Sequence, residues 1–174
     1  MIDQRDDEFT DFVADHGARL LRTACLVTGD PHLGEDLVQT ALAKAYGSWG
    51  KVREADHPAA YVRRLMINAH LSWLRRLTNT ERAVETFPEL GGGDIQSAHA
   101  ETDEMRRALM TLSPRVRTAV VLRYFDDLSE ADTATLMGCS RSTVNNHVTR
   151  GLAALRAVLT PAADDLTSIT GSTR

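Results

Sequence analysis

The sequence predicts an all-α fold: two small helical domains joined by a flexible acidic linker, the C-terminal one containing a helix-turn-helix. Three observations carry this. Apolar residues recur at spacings of three and four through most of the 174 residues, the period of helices with one buried face. The stretch Asn79 to Ala100 breaks that period with Pro88 and Gly91-Gly92-Gly93 and is rich in acids, which is linker composition. Leu128 to Val148 reads as two short helices about a tight turn.

The first helix is expected from Glu8 to about Thr28, with Phe9, Phe12, Val13, Leu20, Ala24 and Val27 on one face. Asp30-Pro31 opens the second, Asp as N-cap and Pro at the first helical position, where its missing N–H costs nothing. That helix turns Leu33, Leu37, Ala41, Ala45 and Trp49 inward and stops near Gly50. A polar loop, Lys51 to His57, follows, and Pro58 starts a third helix ending near Leu77. After the linker a helix begins near Glu101 with Met105, Leu109 and Leu112 inward, and Ser113-Pro114 caps another through Tyr124. In the helix-turn-helix, Ser129 and Asp132 make a capping-box start. Gly138 supplies the left-handed residue that ends its first helix, and Ser140 caps the second, whose apolar positions are Val144, Val148, Leu152, Leu155 and Leu159. Residues 161–174 form a polar tail, expected to be disordered.

Composition narrows the function. The net charge of -4 argues against a strong free-standing DNA binder, whose footprint is basic. The distribution says more: Met105 to Thr160 holds eight Arg against four acids, whereas Asn79 to Glu104 holds one Arg against seven acids. A basic module beside an acidic linker suggests DNA contact that needs another protein. Cys25 and Cys139 lie far apart inside helical patterns, as reduced residues of a cytoplasmic protein do. The N-terminus is acidic, not a secretory signal, and no apolar run approaches spanning length, so no membrane insertion is expected. An enzyme is disfavoured. The triple glycine lacks a following Lys-Ser/Thr, and the six His have no ligand spacing, so neither cofactor nor metal is implied.

The helical step of about 100° sorts side chains into faces. On the third helix Val62, Leu65, Met66, Ala69, Trp73 and Leu77 share an apolar arc; Tyr61, Arg64, Asn68, Ser72 and Arg75 share the opposite one. An aromatic among cations suits single-stranded DNA, offering a π-face to a base and charge to phosphates, and Lys51 and Arg53 extend the basic track. On the last helix Ser142, Thr143, Asn146 and Arg150 point away from the core. Asn pairs with adenine and Arg with guanine in the major groove, while Arg141 at the helix start suits a phosphate.

With both units placed, the chain resembles the bacterial RNA polymerase sigma factors, specifically the small two-domain extracytoplasmic-function (ECF) group, from about Phe9 to Leu159. Gly34-Glu35-Asp36-Leu37-Val38-Gln39-Thr40-Ala41-Leu42 resembles the motif that grips the clamp helices of the polymerase's largest subunit. Pro58 to Asn68 with Arg75-Arg76 resembles the minus-ten-reading helix, and Leu112-Ser113-Pro114 through the helix-turn-helix resembles the domain that reads the minus-thirty-five element. The resemblance implies domain 2 at 1–78, a linker at 79–100 and domain 4 at 101–160. It implies core RNA polymerase and promoter DNA as partners, with an inhibitory anti-sigma factor common in the family. Glu35, Asp36 and Gln39 would dock polymerase. Lys51, Arg53, Tyr61, Arg64, Asn68 and Arg75 would capture the melted minus-ten strand, and Arg141, Ser142, Thr143, Asn145, Asn146 and Arg150 would read the upstream element. Thr40, Thr133, Asn145, His147 and Leu152 depart from the family pattern. Thr133 is expected to weaken its core, and fewer cations to lower free DNA affinity.

The alternative is a helix-turn-helix regulator that binds an operator as a dimer. It predicts tight DNA binding by the protein alone. A pure interaction module leaves the polar stripe of the third helix unexplained.

Overall fold

Eight helices account for most of the residues that the computed structural model describes, 4–81 and 100–159; among them there is no strand. They are α1 (Gln4–Thr28), α2 (Pro31–Gly47), α3 (Trp49–Arg53), α4 (Pro58–Glu81), α5 (Ala100–Met110), α6 (Pro114–Tyr124), α7 (Glu130–Met137) and α8 (Arg141–Leu159). The expected linker falls mainly on residues 82–99 and the tail on 160–174, outside the described residues.

Local chemistry explains the boundaries. α1 starts at Gln4 rather than Glu8 because polar contacts hold its extra turn. Gln4 Nε2 donates to Glu8 Oε1 at 3.1 Å and the Tyr46 hydroxyl to Asp6 Oδ1 at 2.6 Å. Gly29, at φ 74°, ends it, and Asp30 Oδ1 accepts the Leu33 N–H at 2.9 Å to start α2 behind Pro31. The expected loop at Lys51–His57 begins instead as the short helix α3. Trp49 and Val52 are buried there, and the Trp49 ring meets Phe9 and Phe12 edge-on, at 5.2 and 5.3 Å between centroids, a preferred aromatic geometry. Ser113 precedes α6 in extended conformation without a side-chain cap bond, so Pro114 alone marks that start.

The N-terminal helices pack α2 on α1 and α4 on α2; in the C-terminal group α6 is central, against α7 and α8. The two groups also pack together, α6 on α1 and α7 on α4. Consequently Val116 to Leu122 are all buried. The same packing buries Ile67, His70 and Leu71 on α4, beyond the single apolar arc read from its period.

The seam between the groups is polar. Arg117 Nε donates to the Val27 carbonyl at 3.0 Å and its Nη2 to the Thr28 carbonyl at 3.5 Å, a cation on the negative end of α1. Asp126, buried, accepts from the Thr23 hydroxyl at 2.7 Å and faces Arg63 Nε at 3.4 Å and Arg19 Nε at 3.9 Å. Buried His70 sits 3.4 Å from the Thr118 hydroxyl, and its other ring nitrogen has no hydrogen-bond partner.

Burial, and then the nearby Arg117 charge, lower the His70 pKa from 6.5 to about 4. The folded chain thus takes up this proton less readily than the unfolded one. Its stability contribution is fully present above pH 6.5 and is lost as pH falls toward about 4. Thermal midpoints measured across that window should fall less steeply for His70→Gln than for the wild type.

Candidate nucleic-acid interface

The helix-turn-helix is built by its caps. Ser129 Oγ accepts the Asp132 N–H at 3.0 Å and its hydroxyl donates to Asp132 Oδ2 at 2.5 Å. α7 ends at Gly138 in left-handed geometry, φ 63°, with the Cys139 N–H returned to the Ala134 carbonyl at 3.1 Å, a Schellman closure. Ser140 Oγ then accepts the Thr143 N–H at 3.1 Å. Both ends of the turn are therefore fixed, and with them the direction of α8. Thr133 is fully buried and its hydroxyl donates to the Ser129 carbonyl at 2.8 Å, so its polar atom is satisfied inside its own helix.

On α8 the residues Val144, Val148, Gly151 and Leu155 are buried, while Arg141, Ser142, Asn145, Asn146 and Arg150 are exposed. Thr143 is half-buried, its hydroxyl 2.8 Å from Ser140 Oγ in the cap. The structure adds a residue that sequence reasoning missed. Burial, then the charges of Arg115 and Arg150, hold the His147 pKa below its usual value, so Arg115 of α6 belongs to the same cationic patch. Helical spacing gives no sign of it, because the two arginines come from different helices.

The second polar face lies on α3 and α4. Lys51, Arg64, Asn68 and Arg75 are exposed and Tyr61 is half-buried. Lys51 and Arg53 ride on α3 rather than in a loop. The Arg53 charge is already met: its Nη1 lies 3.1 Å from Glu8 Oε2, and this bond is the main cause holding the Glu8 carboxyl below its usual pKa. Trp49 Nε1 donates to the same oxygen at 3.4 Å.

A third surface sits across α2. Glu35, Asp36 and Gln39 are exposed, and Asp36 lines a groove with Leu33, Leu37, Thr40, Trp73 and Arg76. Trp73, expected in the core, is half-buried on the wall of this groove. An apolar floor with a carboxylate at its edge suits an amphipathic helix bearing cations. Among the described residues no group of three His, Cys, Asp or Glu is placed to hold a metal ion, and no helix is long and apolar enough to cross a membrane.

Comparison with known proteins agrees with this arrangement. The family models for sigma-70 region 2 and sigma-70 region 4 match residues 12–80 and 102–155. The RNA polymerase sigma-E factor of Streptomyces coelicolor is 37% identical over 152 residues, 87% of this chain and 86% of that protein. The ECF RNA polymerase sigma factor SigM of Mycobacterium tuberculosis is 30% identical over 147 residues, 83% of this chain and 73% of that protein. In fold, the chain is similar to the sigma factor RpoE of Bartonella quintana, crystallised with the anti-sigma factor NepR. The TM-score is 0.70 at 21% identity, covering 87% of this chain and 96% of that one. The chain therefore belongs to the RNA polymerase sigma factors, in their extracytoplasmic-function group.

Proposed function

We propose that the chain directs promoter-specific initiation through three contacts: α2 on core RNA polymerase, the α3–α4 face on the minus-ten element, and α8 in the major groove of the minus-thirty-five element. Residues 1–78 and 101–160 act as domains 2 and 4, joined by 79–100. The chain is an initiation factor of the cytoplasm rather than an enzyme, since polymerase supplies the chemistry. Asp36 and Gln39 dock the clamp helices of the largest subunit, with Glu35 beside them. Tyr61, Arg64 and Asn68 hold unpaired bases while Lys51 and Arg75 follow the phosphates, joined by Arg53 once it leaves Glu8. Asn145, Asn146 and Arg150 face base edges, and Arg141, Ser142 and Thr143 at the helix start face the backbone.

The observation that carries this reading is the exposed Asn146–Arg150 face on a helix whose approach is set by two capped turns. Asn146→Ala is expected to reduce use of the upstream element about tenfold, one bidentate base pair of contacts supplying about 1–3 kcal/mol. Binding to core polymerase should stay unchanged. Transcription from promoters with and without that element, together with co-elution with core, measures both.

Fluorescently labelled chain titrated with core polymerase tests the whole reading. A saturable one-to-one complex, with weak binding to promoter DNA alone, is expected. Tight DNA binding by the chain alone and no complex with core would establish the regulator instead.

A further inference from the structure

We propose that His147 of α8, flanked by Arg115 of α6 and by Arg150, is a proton-linked contact to the DNA backbone: it becomes cationic as α8 seats in the major groove, so binding of the upstream element strengthens as pH falls. The proposal rests on the sigma-factor reading above and adds a phosphate site to the flank of α8, beside its base-facing residues.

The packing of α8 on α6 places the ring. A Cβ built on Gly151 would lie 2.5 Å from Val120 Cγ2 and 3.0 Å from Val116 Cγ1, so the two helices approach closely there. His147 is one turn earlier on the same side of α8, and Arg115 directly precedes Val116. Arg150 follows His147 by three residues and is its neighbour on the helix surface. His147 is therefore half-buried on the border between the exposed residues Asn146 and Arg150 and the start of α6. Its Nδ1 is buried and has no hydrogen-bond partner, which leaves Nε2 to meet a ligand. Of the helices packed on α8, α6 brings Arg115, whereas α5 and α7 bring no charge that acts on the ring among the described residues. Among those residues, too, no carboxylate pairs with Arg115 or Arg150.

Burial and the two arginines all disfavour the imidazolium in the free chain, which therefore carries a neutral ring near pH 7. A helix lying in the major groove has the phosphate backbone along its flanks. A phosphate set against Arg115 and Arg150 reverses the local field, since it offsets both cations and attracts a third. The ring then takes a proton from water on the nitrogen that holds its lone pair, and Nε2–H donates to a phosphate oxygen in a charge-assisted bond. Linkage is reciprocal: a ligand that prefers the charged ring raises its hold on the proton, and a lower pH tightens the ligand in the same measure.

The test uses holoenzyme assembled from core polymerase and the full-length chain, on a promoter mapped by run-off transcription. Equilibrium binding is measured at about pH 8 and about pH 6, on either side of the usual histidine range. One DNA fragment extends through the upstream element and a second ends before it, so only the first can reach α8. Wild-type holoenzyme should bind the longer fragment about fivefold more tightly at the lower pH, relative to the shorter one. His147→Gln, which cannot charge, should lose that gain. His147→Arg, always charged, should bind tightly at both pH values, which a ring that only packs would not produce. No gain in the wild type, a gain that survives in His147→Gln, or a wild-type pH dependence in His147→Arg overturns the proposal. Failure of the wild-type chain to assemble with core at either pH would instead sink the sigma reading.

Discussion

Asp36→Arg is expected to abolish binding to core polymerase while leaving the chain folded. Asp36 is exposed in the second turn of α2, past the first turn, where a charge change acts most on the macrodipole. Surface substitutions at such positions usually stay within about 0.5 kcal/mol in stability. At a docking surface the same reversal does far more, because a like charge set against a complementary patch costs several kcal/mol, about a hundredfold or more in affinity. The groove beside it is apolar along Leu33 and Leu37, so the carboxylate supplies register and charge rather than bulk. Unchanged circular dichroism with loss of co-elution on core polymerase is the expected result. Retained binding would remove Asp36 from the docking surface.

Gly34→Val has the opposite signature: it unseats the fold itself. A Cβ built on Gly34 lies 2.9 Å from both Cα and N of Cys25 and 2.7 Å from its Sγ. Backbone atoms of α1 cannot step aside as a flexible side chain can, so α2 must move off α1. Overpacking of this kind costs about 1–3 kcal/mol, and more where backbone shifts. Glu35 and Asp36 follow directly, so the proposed docking surface moves with the helix. A chemical-denaturation midpoint well below wild type is expected, with loss of polymerase binding as a consequence. A wild-type midpoint would mean that the α1–α2 contact is looser than these distances.

The helix-turn-helix was legible in the sequence because its signals are local. Ser129, Asp132, Gly138 and Ser140 act within a few residues of themselves, and each makes the bond or adopts the geometry that its type suggests. Asp30-Pro31 is legible for the same reason. α3 was not, because its helicity comes from Trp49 meeting Phe9 and Phe12, some forty residues earlier. The extra turn of α1 depends on Tyr46 in the same way. The seam was the least legible. Arg117 on α6, His70 on α4 and Asp126 just after α6 carry no local signal, and only the packing of α6 on α1 and α7 on α4 buries them. Of the candidate site, the exposed faces of α4 and α8 follow from helical period alone. The pairing of Arg53 with Glu8 and the nearness of Arg115 to His147 arise from the packing of separate helices.

The most direct test is run-off transcription of sheared genomic DNA from the source organism by its core RNA polymerase, with and without this chain. Discrete transcripts that appear only when the chain is added are the predicted result, and their start sites define the two elements it reads. Core polymerase that stays silent with the chain present, while a holoenzyme carrying another sigma factor responds to it, would contradict the account and leave a helix-turn-helix regulator.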